Sequence, residues 1–200
     1  MSGAIDFYFD FASPFGYIMS EHIDAVAAKY GRVVVWRAML LAPAFKVSGT
    51  VPVLGMPVKG EYFKIDFARS ARYHGVAFRL PSRFPLMTTL AARAFMWVND
   101  RDPAKAKQLA HAIFRAYFVD DVNIAEEDKL LGIAAAQGLD RHEIGDAIHD
   151  IDVKNRLRAL VDAAIARGVF GSPMVYVDGE PFWGTDRLPH VEKWLATGGF

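Results

Sequence analysis

The strand signal of this chain is split between its two ends, and that split limits what the chain can fold into. Ile5, Phe7 and Phe9 alternate with Asp6, Tyr8 and Asp10, the two-residue period of a pleated strand. Ser13 then stands where a helix N-cap belongs, and Pro14 takes the first helical position, where a missing N–H costs nothing. Helical spacing runs on through Tyr17, Ile18, Met19, Ile23, Val26 and Ala27 and ends near Gly31. Arg32–Arg37 is a second, β-branched strand. Strand, helix and strand within about forty residues predict a βαβ unit with a right-handed crossover. The signal returns near the other terminus. Pro173–Val177 leads through an Asp178-Gly179 hairpin turn to Pro181-Phe182-Trp183, and Thr185-Asp186-Arg187-Leu188 opens a last helix through Val191, Trp194 and Leu195.

Between the two halves the periodicity is helical. Pro43, Gly49, Pro52, Gly55, Pro57 and Gly60 first punctuate a segment expected to be a long irregular loop. Its apolar residues, Phe45, Val53, Leu54 and Met56, argue against disorder and for a functional loop. Tyr62, Ile65, Ala68 and Tyr73 then start a helix that ends at Gly75, and residues 79–85 form a second loop. Further helices are expected near 87–99, 104–118, 126–137, 140–149 and 153–167. In the last of these Val153, Leu157, Leu160, Val161, Ala164 and Ile165 share a face, and Gly168 is a natural stop. The expected organisation is an α/β sheet domain from residues 1–42 and 169–200, interrupted by a loop and an all-helical insertion over 43–168.

Composition removes several classes of function. With 52% hydrophobic residues the chain can bury a core. A formal net charge of zero argues against nucleic acid or an anionic membrane as partner. No apolar run is long enough to span a bilayer, and the first residues lack a signal-peptide pattern, so a cytoplasmic location is the default expectation. The chain has no cysteine. That excludes a disulfide framework, a thiol nucleophile, a Cys-x-x-Cys redox pair and a thiolate metal site. Any sulfur chemistry must use sulfur from a bound molecule.

The six histidines are scattered without metal-binding spacing, and Asp120-Asp121-Val122-Asn123 lacks the glycine and spacing of a calcium loop, so no metal site is expected. Ser13 holds a hydroxyl at the positive end of a helix, a place to stabilise an anion. Taken alone, it reads first as a cap.

The order βαβ, helical block, ββα resembles the thioredoxin fold with the helical insertion of its DsbA-like branch. In that fold the redox Cys-x-x-Cys lies between the first strand and first helix, where this chain reads Ser13-Pro14-Phe15-Gly16. A cis-proline precedes the third strand, and Gly171-Ser172-Pro173 fits it. Asp10–Phe15, Phe45-Lys46, Met56–Tyr62, Gly168–Pro173 and Phe182–Leu188 together resemble the 2-hydroxychromene-2-carboxylate isomerases and, behind them, the kappa-class glutathione transferases.

That resemblance implies a glutathione-dependent isomerase of aromatic catabolism, with a kappa-like transferase or a non-catalytic glutathione-binding module as alternatives. It also implies a homodimer. Glutathione would supply the missing thiol, and Ser13 would stabilise it as thiolate. Phe15 would adjoin it, and Ser172 before Pro173 would pair its backbone with the cysteinyl segment. Thr185 and Asp186 would take the γ-glutamyl group and Lys59 the glycyl carboxylate, with Arg187 either adding to that end or serving as a surface ion-pair residue. Lys46, Thr50 and Arg83 would meet the acidic aromatic substrate. Relatives carry Asn at the Thr50 position, and kappa-class enzymes carry Tyr at that of Phe15. Tyr17 and Tyr62 are then the candidates to supply the lost hydroxyl, against a simple role in packing.

Overall fold

The computed structural model describes residues 3–200. Four strands, β1 (Ile5–Phe9), β2 (Val34–Ala38), β3 (Met174–Val177) and β4 (Glu180–Trp183), form one sheet in the order β2-β1-β3-β4. β1 and β2 are parallel, with Phe7 opposite Trp36. β3 runs antiparallel to β1, with Phe7 opposite Val175, and β4 closes the hairpin on β3. Segments nearly the whole chain apart therefore meet at β1, which makes it the central element.

The alternation in β1 is real, but both of its faces are covered. Ile5, Phe7 and Phe9 are fully buried on one side, where Phe9 meets Phe95 edge to face with centroids 5.1 Å apart and Phe7 meets Trp36 likewise. On the other side Tyr8 is buried too, packed with Met39, Ala44, Ala164, Val169, Met174 and Tyr176 in a second apolar cluster. Asp6 remains at the strand's edge of this face, where Arg37 lies 2.7 Å away.

The helical segments are α1 (Pro14–Ser20), α2 (Ile23–Ala28), α3 (Leu41–Ser48), α4 (Lys59–Tyr73), α5 (Thr89–Asn99), α6 (Pro103–Phe118), α7 (Glu127–Ala136), α8 (Arg141–His149), α9 (Ile151–Ala166) and α10 (Leu188–Thr197). The main apolar cluster runs without a break from β1 and Trp36 through Phe95, Phe114, Tyr117 and Phe118 to Leu130, Ile144 and Ile148. α9 lies partly against the second cluster through Ala164 and Ile165. Among the described residues, no helix is long and apolar enough to cross a membrane.

Three expectations about local structure are corrected. The segment 43–60 is not wholly irregular. Residues 41–48 form α3, a 3₁₀ turn spans Val53–Gly55, and α4 begins at Lys59. Pro43 falls in the first turn of α3, where an N–H would lack a partner anyway, and Gly49 ends the helix at φ 70°. The single helix expected over 14–31 is broken at Glu21-His22. Just before the break the Ser20 hydroxyl donates to the Tyr17 carbonyl at 2.7 Å, a back-bond of the kind that bends helices. Finally, Thr185–Arg187 forms a separate 3₁₀ turn ahead of α10.

Candidate functional site

Three chain reversals converge at the C-terminal end of β1: the turn 10–16 that starts α1, the turn before β3, and the turn after β4. Ser13 is the N-cap of α1, and its Oγ accepts the Gly16 N–H at 3.0 Å. The same hydroxyl donates to the Ser172 carbonyl at 2.8 Å. The Ser172-Pro173 peptide bond is cis, where a trans turn proline is the usual expectation. The Pro173 carbonyl accepts the Gly184 N–H at 3.0 Å, and Thr185 Oγ1 donates to the Phe15 carbonyl at 2.6 Å. Side-chain and backbone bonds thus lace the three reversals together. Ser13, Ser172 and Thr185 are all buried. The backbone N–H of Ser172 has no acceptor among the described residues.

Beneath this corner lies a residue that sequence reading took for the polar partner in a strand alternation. Asp10 is past the end of β1 and only 4% exposed. Its Oδ1 accepts the Ala12 N–H at 2.9 Å and the Thr88 hydroxyl at 2.6 Å, and its Oδ2 accepts the Leu41 N–H at 2.7 Å. Its own N–H donates to Ser172 Oγ at 3.0 Å. One carboxylate therefore joins the Ser13 turn to the first residue of α3 and to the residue that precedes α5. Burial pushes its pKa up, and the three donors pull against that shift. The only sequence signal was an acid standing three residues before the helix cap.

The remaining candidates sit farther out. Phe15 packs on α4 through Phe67, centroids 5.1 Å apart, and Phe63, which sets α4 against α1. Lys59 is exposed at the first position of α4 and makes no ion pair among the described residues. Lys46 and Thr50 are exposed at the end of α3, and Thr50 Oγ1 accepts the Ser48 hydroxyl at 3.0 Å. Asp186 and Arg187 are exposed and pair with each other at 3.2 Å. Arg83 is exposed and lies 3.7 Å from Glu126, while its carbonyl accepts the Tyr117 hydroxyl at 2.9 Å. Among the described residues, no hydrogen bond joins Arg83 to the Ser13 corner.

The two tyrosines separate cleanly. Tyr17 is core. Its hydroxyl donates to the Ala77 carbonyl at 3.0 Å, and burial, with Glu21 nearby, pushes its pKa up to about 12. Tyr62 is instead 54% exposed on α4, so the packing role is corrected for it: its hydroxyl accepts from Arg69 at 2.8 Å.

The same architecture is found in known proteins. A model of the DSBA-like thioredoxin domain matches residues 4–196. A 2-hydroxychromene-2-carboxylate isomerase of Sphingobium xenophagum is 28% identical over 98% of this chain and 99% of its own. A glutathione S-transferase kappa 2 of Caenorhabditis elegans is 26% identical over 96% of this chain and 91% of its own. A solved 2-hydroxychromene-2-carboxylate isomerase superposes with a TM-score of 0.87 at 27% identity, over 97% of this chain and 95% of that one. With the family model covering nearly the whole chain, the chain belongs to the DsbA-like thioredoxin family, where it matches the 2-hydroxychromene-2-carboxylate isomerases with kappa-class transferases as further relatives.

Proposed function

We propose that the chain is a glutathione-dependent isomerase acting on 2-hydroxychromene-2-carboxylate or a close analogue. The observation that carries this reading is the Ser13 hydroxyl, buried at the N-terminus of α1 and held by Gly16 N–H and the Ser172 carbonyl in a chain without cysteine. A hydroxyl so placed can turn its hydrogen from the Ser172 carbonyl to a bound thiolate. The positive end of α1 adds to that stabilisation. A thiol with an ordinary pKa near 8.5 is mostly protonated at pH 7, and both effects raise the thiolate fraction.

Glutathione would lie extended along the Ser172-Pro173 turn, its cysteinyl backbone pairing with the free Ser172 N–H as an added strand does. Asp186, at the 3₁₀ turn before α10, would face the γ-glutamyl ammonium. Lys59, at the start of α4, would face the glycyl carboxylate, with Arg187 assisting. Lys46, Thr50 and Arg83 would receive the carboxylate and phenolic oxygen of the second substrate.

In the reaction, the hemiketal ring first opens, the 2-hydroxyl proton passing to the phenolic oxygen as the ring C–O bond breaks. The thiolate then adds to the aryl-bearing alkene carbon, β to the ketone. The π pair moves to the ketone oxygen as an enolate. The former double bond is now single and rotates. The enolate pair then re-forms the alkene, the C–S bond breaks, and glutathione leaves unchanged beside the trans-benzylidenepyruvate. Glutathione is a cofactor in this scheme, since it is regenerated.

The test is the ultraviolet spectrum of 2-hydroxychromene-2-carboxylate with enzyme, with and without glutathione. Conversion only when both are present supports the proposal, and no glutathione-dependent conversion removes this substrate. The kappa-class relatives support a second reading, in which the conjugate departs. Conjugation of chlorodinitrobenzene faster than isomerisation would favour it. Glutathione binding with every activity indifferent to Ser13→Ala would leave a binding module.

A further inference from the structure

The fourth position of the Ser13-Pro14-Phe15-Gly16 turn has no side chain, and the space beside it is filled from elsewhere. A Cβ built on Gly16 would lie 2.8 Å from Ser172 Oγ, 3.1 Å from Ser13 Cβ and 3.3 Å from Ser13 Oγ. The Ser172 hydroxyl thus stands over the first turn of α1, next to Ser13, in the room that a side chain at Gly16 would need. It is 9% exposed. Its oxygen accepts the Asp10 N–H at 3.0 Å, and its own hydrogen has no acceptor among the described residues.

The contrast with Ser13 is informative. Ser13 already donates its hydrogen to the Ser172 carbonyl and must rotate away from it to serve a ligand. Ser172 accepts from Asp10, and its hydrogen has no partner among the described residues to turn away from. A buried hydroxyl with an unmatched hydrogen is uncommon, because such a group carries a desolvation cost until a partner arrives. The N–H of Asp10 also polarises the Ser172 hydroxyl, making it a better donor.

We propose that the Ser172 side-chain hydroxyl is a second hydrogen-bond donor to the thiolate that Ser13 stabilises, and that glycine at position 16 exists to make room for it. This rests on the glutathione reading above, where Ser172 contributes only its backbone. The corner then presents two side-chain hydroxyls to one sulfur, which matches an anion more closely than one hydroxyl does. Ser172 makes this contact directly and acts without taking or giving up a proton.

The experiment is a titration of thiolate absorbance for glutathione bound to the wild type, Ser172→Ala and Gly16→Ala, with glutathione affinity and thermal midpoint measured on the same samples. Ser172→Ala is expected to raise the pKa of the bound thiol by about one unit, the scale of one charge-assisted hydrogen bond. Glutathione affinity at a pH where the thiol is protonated is expected to change by no more than about threefold, because the backbone contacts remain. Gly16→Ala retains every donor but crowds the Ser172 hydroxyl, and is expected to raise the same pKa by a smaller amount. A merely structural role for Ser172 would lower the thermal midpoint without moving the thiol pKa. A bound thiol with the same lowered pKa in wild type and Ser172→Ala overturns the inference and leaves the glutathione reading standing. A wild type that never lowers the pKa of added glutathione overturns both. Should Ser172→Ala fail to fold, an unshifted thiol in Gly16→Ala overturns the inference alone.

Discussion

The two sides of the candidate site are built differently. On the buried side, Ser13, Ser172, Thr185 and Asp10 are sequestered from solvent, and hydrogen bonds of 2.6–3.0 Å cross between four separate segments. On the cation side, Lys46, Thr50, Lys59 and Arg83 are exposed, and the Thr50 and Arg83 side chains meet Ser48 and Glu126. The first side is preorganised, so its geometry is fixed before a ligand arrives. The second carries charge on long side chains that must be ordered when a ligand binds. Within the proposed function, the step on sulfur belongs to the buried corner, while the exposed side holds the glycyl carboxylate and chooses the electrophile. Mutations on the two sides should therefore be read by different measurements.

The sharpest way to break the comparison is to remove the hub of the buried side. Asp10→Ala leaves the Ala12 and Leu41 N–H groups and the Thr88 hydroxyl without their acceptor. Buried donors so abandoned cost about 1–3 kcal/mol each, less whatever water repairs, and a total loss near 3 kcal/mol is expected in urea unfolding. Asp10→Asn gives a finer result. Burial holds the Asp10 carboxyl above its ordinary 3.8 in the folded protein, so the native state keeps its proton to higher pH than the unfolded chain. Stability from this group is complete below 3.8 and is lost as pH rises through the raised native value. Asparagine does not titrate. The stability advantage of wild type over Asp10→Asn should accordingly be widest in acid and shrink as pH rises across that window. An advantage that grows with pH would mean that the three donors outweigh burial.

Next in size is Ser13→Ala. Losing one donor to a developing or bound anion in a buried site costs on the order of a hundredfold in rate. The expected outcome is a drop of that order in the glutathione-dependent isomerisation rate, with glutathione affinity within a few-fold. An equal fall in affinity and rate would recast Ser13 as a binding residue. On the opposite side, Lys59→Ala should act the other way round. It should weaken glutathione by about tenfold, the scale of one charge-assisted pair, and leave the pKa of the bound thiol where it was. Calorimetry and thiolate absorbance on one sample separate the two.

The same contrast decides what could be read without coordinates. Ser13-Pro14 as a helix start was legible because capping is local chemistry, and the structure places Ser13 at the cap with its Oγ on Gly16 N–H. The strand pairs were legible from alternation and from the Asp178-Gly179 turn, which closes the β3–β4 hairpin. Asp10 was not, because its burial depends on Leu41 and Thr88, which are distant in sequence. Nor was the approach of Ser172 Oγ to Gly16, since no pattern within either segment reports a contact between residues 156 positions apart. α3 was hidden behind Pro43, Gly49 and Pro52. The two prolines fall in its first turn and beyond its end, where they are compatible with a helix. Tyr62 misled for the opposite reason: an aromatic at helical spacing marked a face of α4 that the fold leaves in solvent.

The smallest predicted effect tests whether the two sides are independent at all. α3 belongs to both, because its first N–H is held by Asp10 while Lys46 and Thr50 lie exposed at its other end. Lys46→Ala and Thr50→Ala should each raise the KM of the acidic substrate by about threefold with kcat unchanged, as expected for contacts made equally in ground and transition states. Neither should move stability by more than about 0.5 kcal/mol, since both side chains are on the surface. If Asp10 merely anchors α3, combining Lys46→Ala with Asp10→Asn should give effects on KM that add to within about 0.5 kcal/mol. A larger coupling would show that the carboxylate under the Ser13 corner also sets where the cations stand. The buried side would then be shaping the specificity of the exposed one through a single helix.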